Sequence, residues 1–159
     1  MAQIIHSPQP LNDIQYHTVF LAGTIEDGRS VDWQAALVTE LTDFEITILN
    51  PRRAEWDASW VQSIDQPHFR AQVEWELAAL ERADLVFLYF AVGSHSPISL
   101  LELGLHAQSG KIIIVCPEGF WKKGNVDIVA HRFGLPVFTN LEAGLRCLKQ
   151  KIKGLRHLA

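Results

Sequence analysis

Cysteine is scarce in this chain. Its 159 residues hold two, Cys116 and Cys147, far apart in sequence. So few thiols build no disulfide framework, and a reducing cytoplasm suits them. Excess positive charge is missing too: 14 Lys and Arg stand against 18 Asp and Glu, a formal net charge of −4. A polyanion finds no general attraction here, which speaks against nucleic acid and acidic membranes as partners. The basic tail KQKIKGLRHLA reads as the solvated end of a helix. No apolar run approaches the length that spans a bilayer. The opening MAQIIHSPQPLNDIQ lacks the basic start and apolar stretch of a signal peptide. Spacings such as CxxC or HExxH do not occur, so no metal is expected, and no other cofactor.

What is present is ordinary for a soluble globular protein: 48% apolar and 20% charged residues. The length suits one domain with a sizeable core. Residues 1–16 read as an irregular arm broken by Pro8 and Pro10, leaving residues 17–159 as a single domain. Five short apolar runs read as strands: HTVFLA (17–22), EITILN (45–50), DLVFLYF (84–90), KIIIVC (111–116) and PVFT (136–139). Helical spacing fills the gaps: 30–43 with Ser30 as N-cap, 68–83 behind Pro67, 98–110, 126–134, and 141–155 capped by Thr139 or Asn140. The central strands are apolar at every position, as in a parallel sheet covered on both faces. The expected architecture is a three-layer α/β/α domain, doubly wound around a five-stranded parallel sheet of the flavodoxin-like or Rossmann-like kind. The expected strand order is second, first, third, fourth, fifth. Ligands of such sheets bind beyond the carboxyl ends of the strands, at the switch point. The loops opened by Gly23, by Ala91 and by Pro117 would then surround the site.

Two carboxylates stand out. Glu102 lies among Leu100, Leu101, Leu103 and Leu105 in SPISLLELGLHA. Burying an ionised carboxylate is costly without a partner or a task. Ser99-x-x-Glu102 fits a capping box, in which Glu102 reaches back to its own helix start. The same residue near a helix N-terminus also suits a nucleophile kept ionised by the dipole. Glu76 is the second. Phe69, Val73 and Leu80 mark a stripe on helix 68–83, and position 76 falls on it. Either Glu76 replaces an expected leucine for a functional reason, or the stripe runs through Leu77 and Glu76 sits at its wet margin. Two carboxylates in one apolar cleft separate their pKa values, so that one stays charged and the other donates a proton; this is the equipment for cleaving glycosidic bonds.

FLAGTI (20–25) offers a glycine and backbone N–H groups at Gly23, Thr24 and Ile25, either as a cradle for a phosphate or sugar hydroxyl or as a plain turn. Trp56, Trp60 and Trp121 fall in loops, where a ring either stacks on a base or packs the loop down. The long 51–67 loop holds two of them and reads as ordered.

Taken together, VFLAGTI, NPRRAEWD, WELAALERADLVFLYF, SPISLLELGLHAQSGKIIIV and GNVDIV resemble the nucleoside 2-deoxyribosyltransferase family, over residues 17–140. Members cleave the N-glycosidic bond of deoxyribonucleosides or their monophosphates and pass the sugar to another base or to water. The resemblance implies that Glu102 is the nucleophile. It implies that Glu76, eight residues before Asp84, assists proton transfer at the base where the family has an aspartate. It implies that Asn125 reaches the sugar in a neighbouring subunit, hence a homo-oligomer, and that Gly23 and its neighbours form the first substrate loop. Ser96 stands where transferases of free nucleosides often carry an aspartate; Ser94, Ser96 and Arg29 suit a 5′-phosphate instead. The 51–67 loop, with Trp56, reads as a lid over the base. The competing expectations are a nucleotide-binding sensor without turnover on the same scaffold, and a degenerate member that chiefly dimerises.

Overall fold

The computed structural model describes residues 1–26 and 30–155. Six strands alternate with helices: β1 (Gln3–His6), β2 (Thr18–Gly23), α1 (Trp33–Leu41), β3 (Thr47–Asn50), α2 (Pro67–Arg82), β4 (Leu85–Tyr89), α3 (Pro97–His106), β5 (Ile112–Val115), α4 (Lys123–Phe133), β6 (Val137–Phe138) and α5 (Leu141–Leu155). The sheet order is β1-β3-β2-β4-β5-β6. The neighbours β1·β3, β2·β3, β4·β5 and β5·β6 all pair parallel. This is the Rossmann-like, flavodoxin-like class expected, with the five expected strands in the expected order. The sixth strand, β1, lies in the stretch expected to be irregular. Pro8 and Pro10 act only after it, and the Gln3 side chain secures it: Thr47 Oγ1 donates to its carbonyl at 2.7 Å, and its amide donates to the Asp13 carbonyl at 2.7 Å.

Contacts group the chain into two compact units, Met1–Leu21 with Ile25–Asp84, and Ala22–Thr24 with Leu85–Ala159. In the first, Ile48 of β3 pairs with Ile4 on one side and Val19 on the other. Every residue of β3 is buried, which removes apolar surface from water at roughly 25 cal/mol per Å2. Helix α1 starts at Trp33 and not at residue 31, because Asp32 is the N-cap and accepts from the Ala35 amide. The expected cap, Ser30, donates instead to the Ile25 carbonyl. Helix α2 begins on Pro67, with Gln66 accepting from the Phe69 amide at 2.8 Å. It buries Gln72, Trp75, Ala79 and Leu80. Leu77 is 40% exposed, so the apolar stripe does not run through it.

In the second unit, β5 is fully buried between β4 and β6. Helix α5 follows an Asn140 cap and buries Gly144, Leu148 and Ile152, one residue per turn. Gly144 is required by close approach: a Cβ there would overlap the Val115 side chain and lie 3.2 Å from Phe87. Helix α4 starts at Lys123 and not at residue 126, so Gly124 and Asn125, expected in the preceding loop, belong to its first turn.

Candidate functional site

The carboxyl ends of β2 and β4 meet where the strand order reverses. Gly23 ends β2 with φ +142°, a backbone conformation that favours glycine. The next residue, Thr24, is buried and its amide donates to the Tyr89 carbonyl at 2.9 Å. Three hydroxyls gather at this point. Thr24 Oγ1 lies 2.6 Å from Ser96 Oγ, and Ser96 Oγ lies 2.8 Å from Ser94 Oγ. Ser94 donates to the Ala91 carbonyl at 2.7 Å, while the Ala91 amide donates to Thr24 Oγ1 at 3.0 Å. Donor counting then apportions the protons. With the Ser94 proton spent on Ala91, the Thr24 and Ser96 protons serve the contacts among the three hydroxyls and the Tyr89 carbonyl, 3.5 Å from Thr24 Oγ1. The circuit opens and closes on one peptide residue and joins three of the residues singled out in the sequence.

That circuit holds Ser96 in an unusual place. Its φ is +46°, a left-handed conformation disfavoured for any residue but glycine. Ser96 is the N-cap of α3, but its side chain caps no helical amide, being engaged elsewhere. Pro97 occupies the first helical position. Ser99 is thus the third helical residue and is buried, and no acidic side chain lies in the first turn. The expected capping box does not form, so capping does not account for Glu102. Glu102 sits in the second turn, half-buried, beside the buried line Ser99, Leu103 and Ala107. Of its leucine neighbours, Leu103 is buried while Leu101 and Leu105 are exposed.

Glu76 belongs to the other unit. It is half-buried on α2, one turn after Gln72 and one turn before Leu80, both buried. Gln72 Nε2 donates to Glu76 Oε1 at 2.9 Å and to the Pro51 carbonyl at 2.9 Å. Gln72 Oε1 accepts from Ser7 Oγ at 2.5 Å. Burial pushes the Glu76 carboxyl up to about 7, against the opposing pull of the Gln72 hydrogen bond. A carboxyl raised in this way can give up and take back a proton near neutral pH. The sequence offered one signal for Gln72, a polar residue on the buried face of an amphipathic helix, and it was missed.

The remaining residues fall as follows. Ile25 is half-buried, its carbonyl engaged by Ser30. Arg29 lies outside the described residues. Asn125 is exposed on α4. Trp121 packs edge-on against His95 and donates its ring N–H to the His95 carbonyl at 2.9 Å. Trp56 meets Trp60 edge to face at 5.1 Å, and Trp60 stacks on His68 at 5.0 Å. Among the described residues no group of three or more His, Cys, Asp or Glu could hold a metal ion. Nor is any helix long and apolar enough to cross a membrane.

A family model described as nucleoside 2-deoxyribosyltransferase like matches residues 16–120, about two thirds of the chain. The chain belongs to this family. The matched span begins before β2 and ends beyond β5, so it contains Gly23, Glu76, the hydroxyl circuit and Glu102. A conserved protein from Enterococcus faecalis V583 is similar in structure, with a TM-score of 0.61 and 13% identity. The similarity covers 86% of this chain and 99% of that one. At that identity the likeness speaks to the fold alone. A comparison with curated proteins finds no match. In this member of the nucleoside 2-deoxyribosyltransferase-like family, position 76 is a glutamate that accepts from the Gln72 amide, which in turn accepts from Ser7.

Proposed function

We propose that this protein cleaves the N-glycosidic bond of a deoxynucleoside, a nucleoside or a 5′-monophosphate of either, by double displacement. The Glu102 carboxylate attacks the anomeric carbon. As that C–O bond forms, the C–N bond breaks and its electron pair leaves with the base. Glu76 donates the proton that the departing base needs. Its carboxylate then takes a proton from the incoming water or second base, which attacks the glycosyl-enzyme and releases Glu102. Gly23, Thr24 and Ile25 line the sugar side, and Ser94 and Ser96 the phosphate side. The 51–67 loop covers the base with Trp56, and a second copy brings its Asn125 to the sugar.

The observation that carries this reading is Glu76, an acid whose burial sets it to titrate near 7. A group that must give a proton and take one back works best near the ambient pH. Family membership supplies the bond class.

The test is base release from a panel of deoxynucleosides, nucleosides and their monophosphates. Glu102→Gln is expected to abolish release, and Glu76→Gln to slow it by ~10²–10⁴-fold, the usual range for general acid–base help. Full activity in Glu102→Gln would overturn the mechanism. Wild-type protein that binds nucleotides yet releases no base from any of them would point to the sensor module instead.

A further inference from the structure

Beyond β3, the turn from Arg53 to Trp56 carries two donors that meet no acceptor. The Trp56 backbone amide closes the turn on the Arg53 carbonyl at 3.4 Å. Arg53 Nη1 and Trp56 Nε1 are both shielded from solvent, without a hydrogen-bond partner among the described residues. Neither group can accept, so only an acceptor satisfies them. The two side chains stand together around one ring: the Arg53 guanidinium lies 5.1 Å over Trp60, which Trp56 meets at 5.1 Å.

The charge balance points the same way. The Arg53 side chain is only 11% exposed. Its carboxylate partner is Glu55, whose Oε2 lies 3.5 Å away and whose side chain is 77% exposed. A largely desolvated cation needs more than a distant, solvated anion. Arg52, its neighbour, is spent by contrast. It donates to the Ser30 carbonyl at 2.9 Å and faces Asp32 at 3.6 Å. Arg53 and Trp56 both line a groove of about 950 Å3, which is also bounded by His6, Ser7 and Asn50.

We propose that this groove binds an oxyanion, the phosphate or carboxylate group of a small molecule, on Arg53 Nη1 and Trp56 Nε1, displacing the Glu55 carboxylate. Trp56 then acts through its ring N–H and not only through its face. The groove lies wholly within the first unit, and nothing in this assignment depends on glycosidic cleavage.

The experiment titrates the intact protein with inorganic phosphate and with acetate at constant ionic strength, read by tryptophan fluorescence and calorimetry. Saturable binding is expected. Glu55→Gln should tighten it severalfold, because the internal competitor is gone. Trp56→Phe, which keeps an aromatic ring but loses the donor, should weaken it about tenfold. Arg53→Gln should remove it; if that variant does not fold, the Glu55 and Trp56 variants decide the matter. A nucleoside 5′-monophosphate that binds tighter than both phosphate and its parent nucleoside, and loses that advantage in Trp56→Phe while keeping it in Ser94→Ala, identifies a phosphomonoester as the ligand. Tighter binding of acetate than of phosphate identifies a carboxylate. Absence of saturable binding by either anion overturns the proposal, as does unchanged phosphate affinity in both Glu55→Gln and Trp56→Phe. Because no turnover is measured, this outcome is independent of whether the Glu102 mechanism stands.

Discussion

At the end of β4, three hydroxyls and one peptide unit satisfy one another in a closed circuit. Beyond the end of β3, Arg53 and Trp56 keep buried donors with no acceptor among the described residues, while Glu76 on α2 accepts from Gln72 and is raised by burial to about 7. The first region resembles a finished structure: every proton has a destination, and the result is a fixed backbone at Ser96. The second holds unmet demand. Buried polar groups without partners cost about 1–3 kcal/mol each, so a fold that retains several at one strand end has a use for them. The comparison separates residues that shape the site from residues that wait for a ligand or a proton.

The largest expected effect breaks the unfinished side. Glu76 titrates near 7 when folded and near the ordinary glutamate value of 4.5 when unfolded. Between those values the folded protein binds more protons than the unfolded chain, so stability falls as pH rises from about 4.5 to 7 and then levels off. The loss amounts to at most about 3 kcal/mol, at 1.36 kcal/mol per pKa unit, and is smaller to the extent that solvent reaches the side chain. Glu76→Gln should flatten this part of the pH profile and raise stability above pH 7, measured by urea unfolding at several pH values. An unchanged profile would show that the carboxyl is solvated and unfit for proton transfer. Gln72→Leu works in the opposite sense. It removes the hydrogen bond that favours the ionised form, so the midpoint should move above 7, visible in the carboxyl NMR signal of Glu76.

Next comes the finished side. Thr24→Val keeps the shape and removes the acceptor of the Ala91 amide together with the hydroxyl bonded to Ser96. A loss of about 2 kcal/mol is expected from stranding buried groups in a cooperative network. The Trp56→Phe substitution removes a donor that has no partner and should leave stability within ~0.5 kcal/mol. If both variants lose stability equally, the contrast between matched and unmatched regions fails.

Much of the scaffold was legible before any coordinates. The all-apolar runs at 17–22, 84–90 and 111–116 announced buried parallel strands, and they are. β1 was hidden because four residues beside two prolines carry almost no periodic signal. Glu76 was legible as a carboxylate on a helix stripe, where it is half-buried between the buried Gln72 and Leu80. The Glu102 capping box was misread because α3 starts at Pro97 with Ser96 as its N-cap, three residues before Ser99, which makes Ser99 a buried interior position. The hydroxyl circuit had no local trace: Thr24 and Ser96 are 72 residues apart and meet only because β2 and β4 are neighbours. Arg53 carried no signal of its own in the sequence. Only the packing of Trp56 and Trp60 around it reveals a shielded charge.

The smallest effect tests what the circuit is for. If the hydroxyls exist to hold Ser96 at φ +46°, two substitutions there must rank in an unusual order. Ser96→Ala and Ser96→Gly both delete the hydroxyl, so both lose the bonds to Thr24 and Ser94. Alanine keeps the left-handed strain, worth roughly 1–2 kcal/mol for an L-residue, whereas glycine does not. Glycine restores part of the difference to the unfolded chain through its greater freedom, by roughly 0.4–1 kcal/mol. The balance leaves the glycine variant more stable than the alanine variant by about 0.5–1 kcal/mol, a difference that denaturant midpoints can resolve. An alanine variant of equal or greater stability would mean that the segment before Pro97 relaxes once the hydroxyl is gone. The start of α3, and with it the position of Glu102, would then be set by Pro97 and the packing of Ser99 and Leu103, not by the circuit at the strand ends.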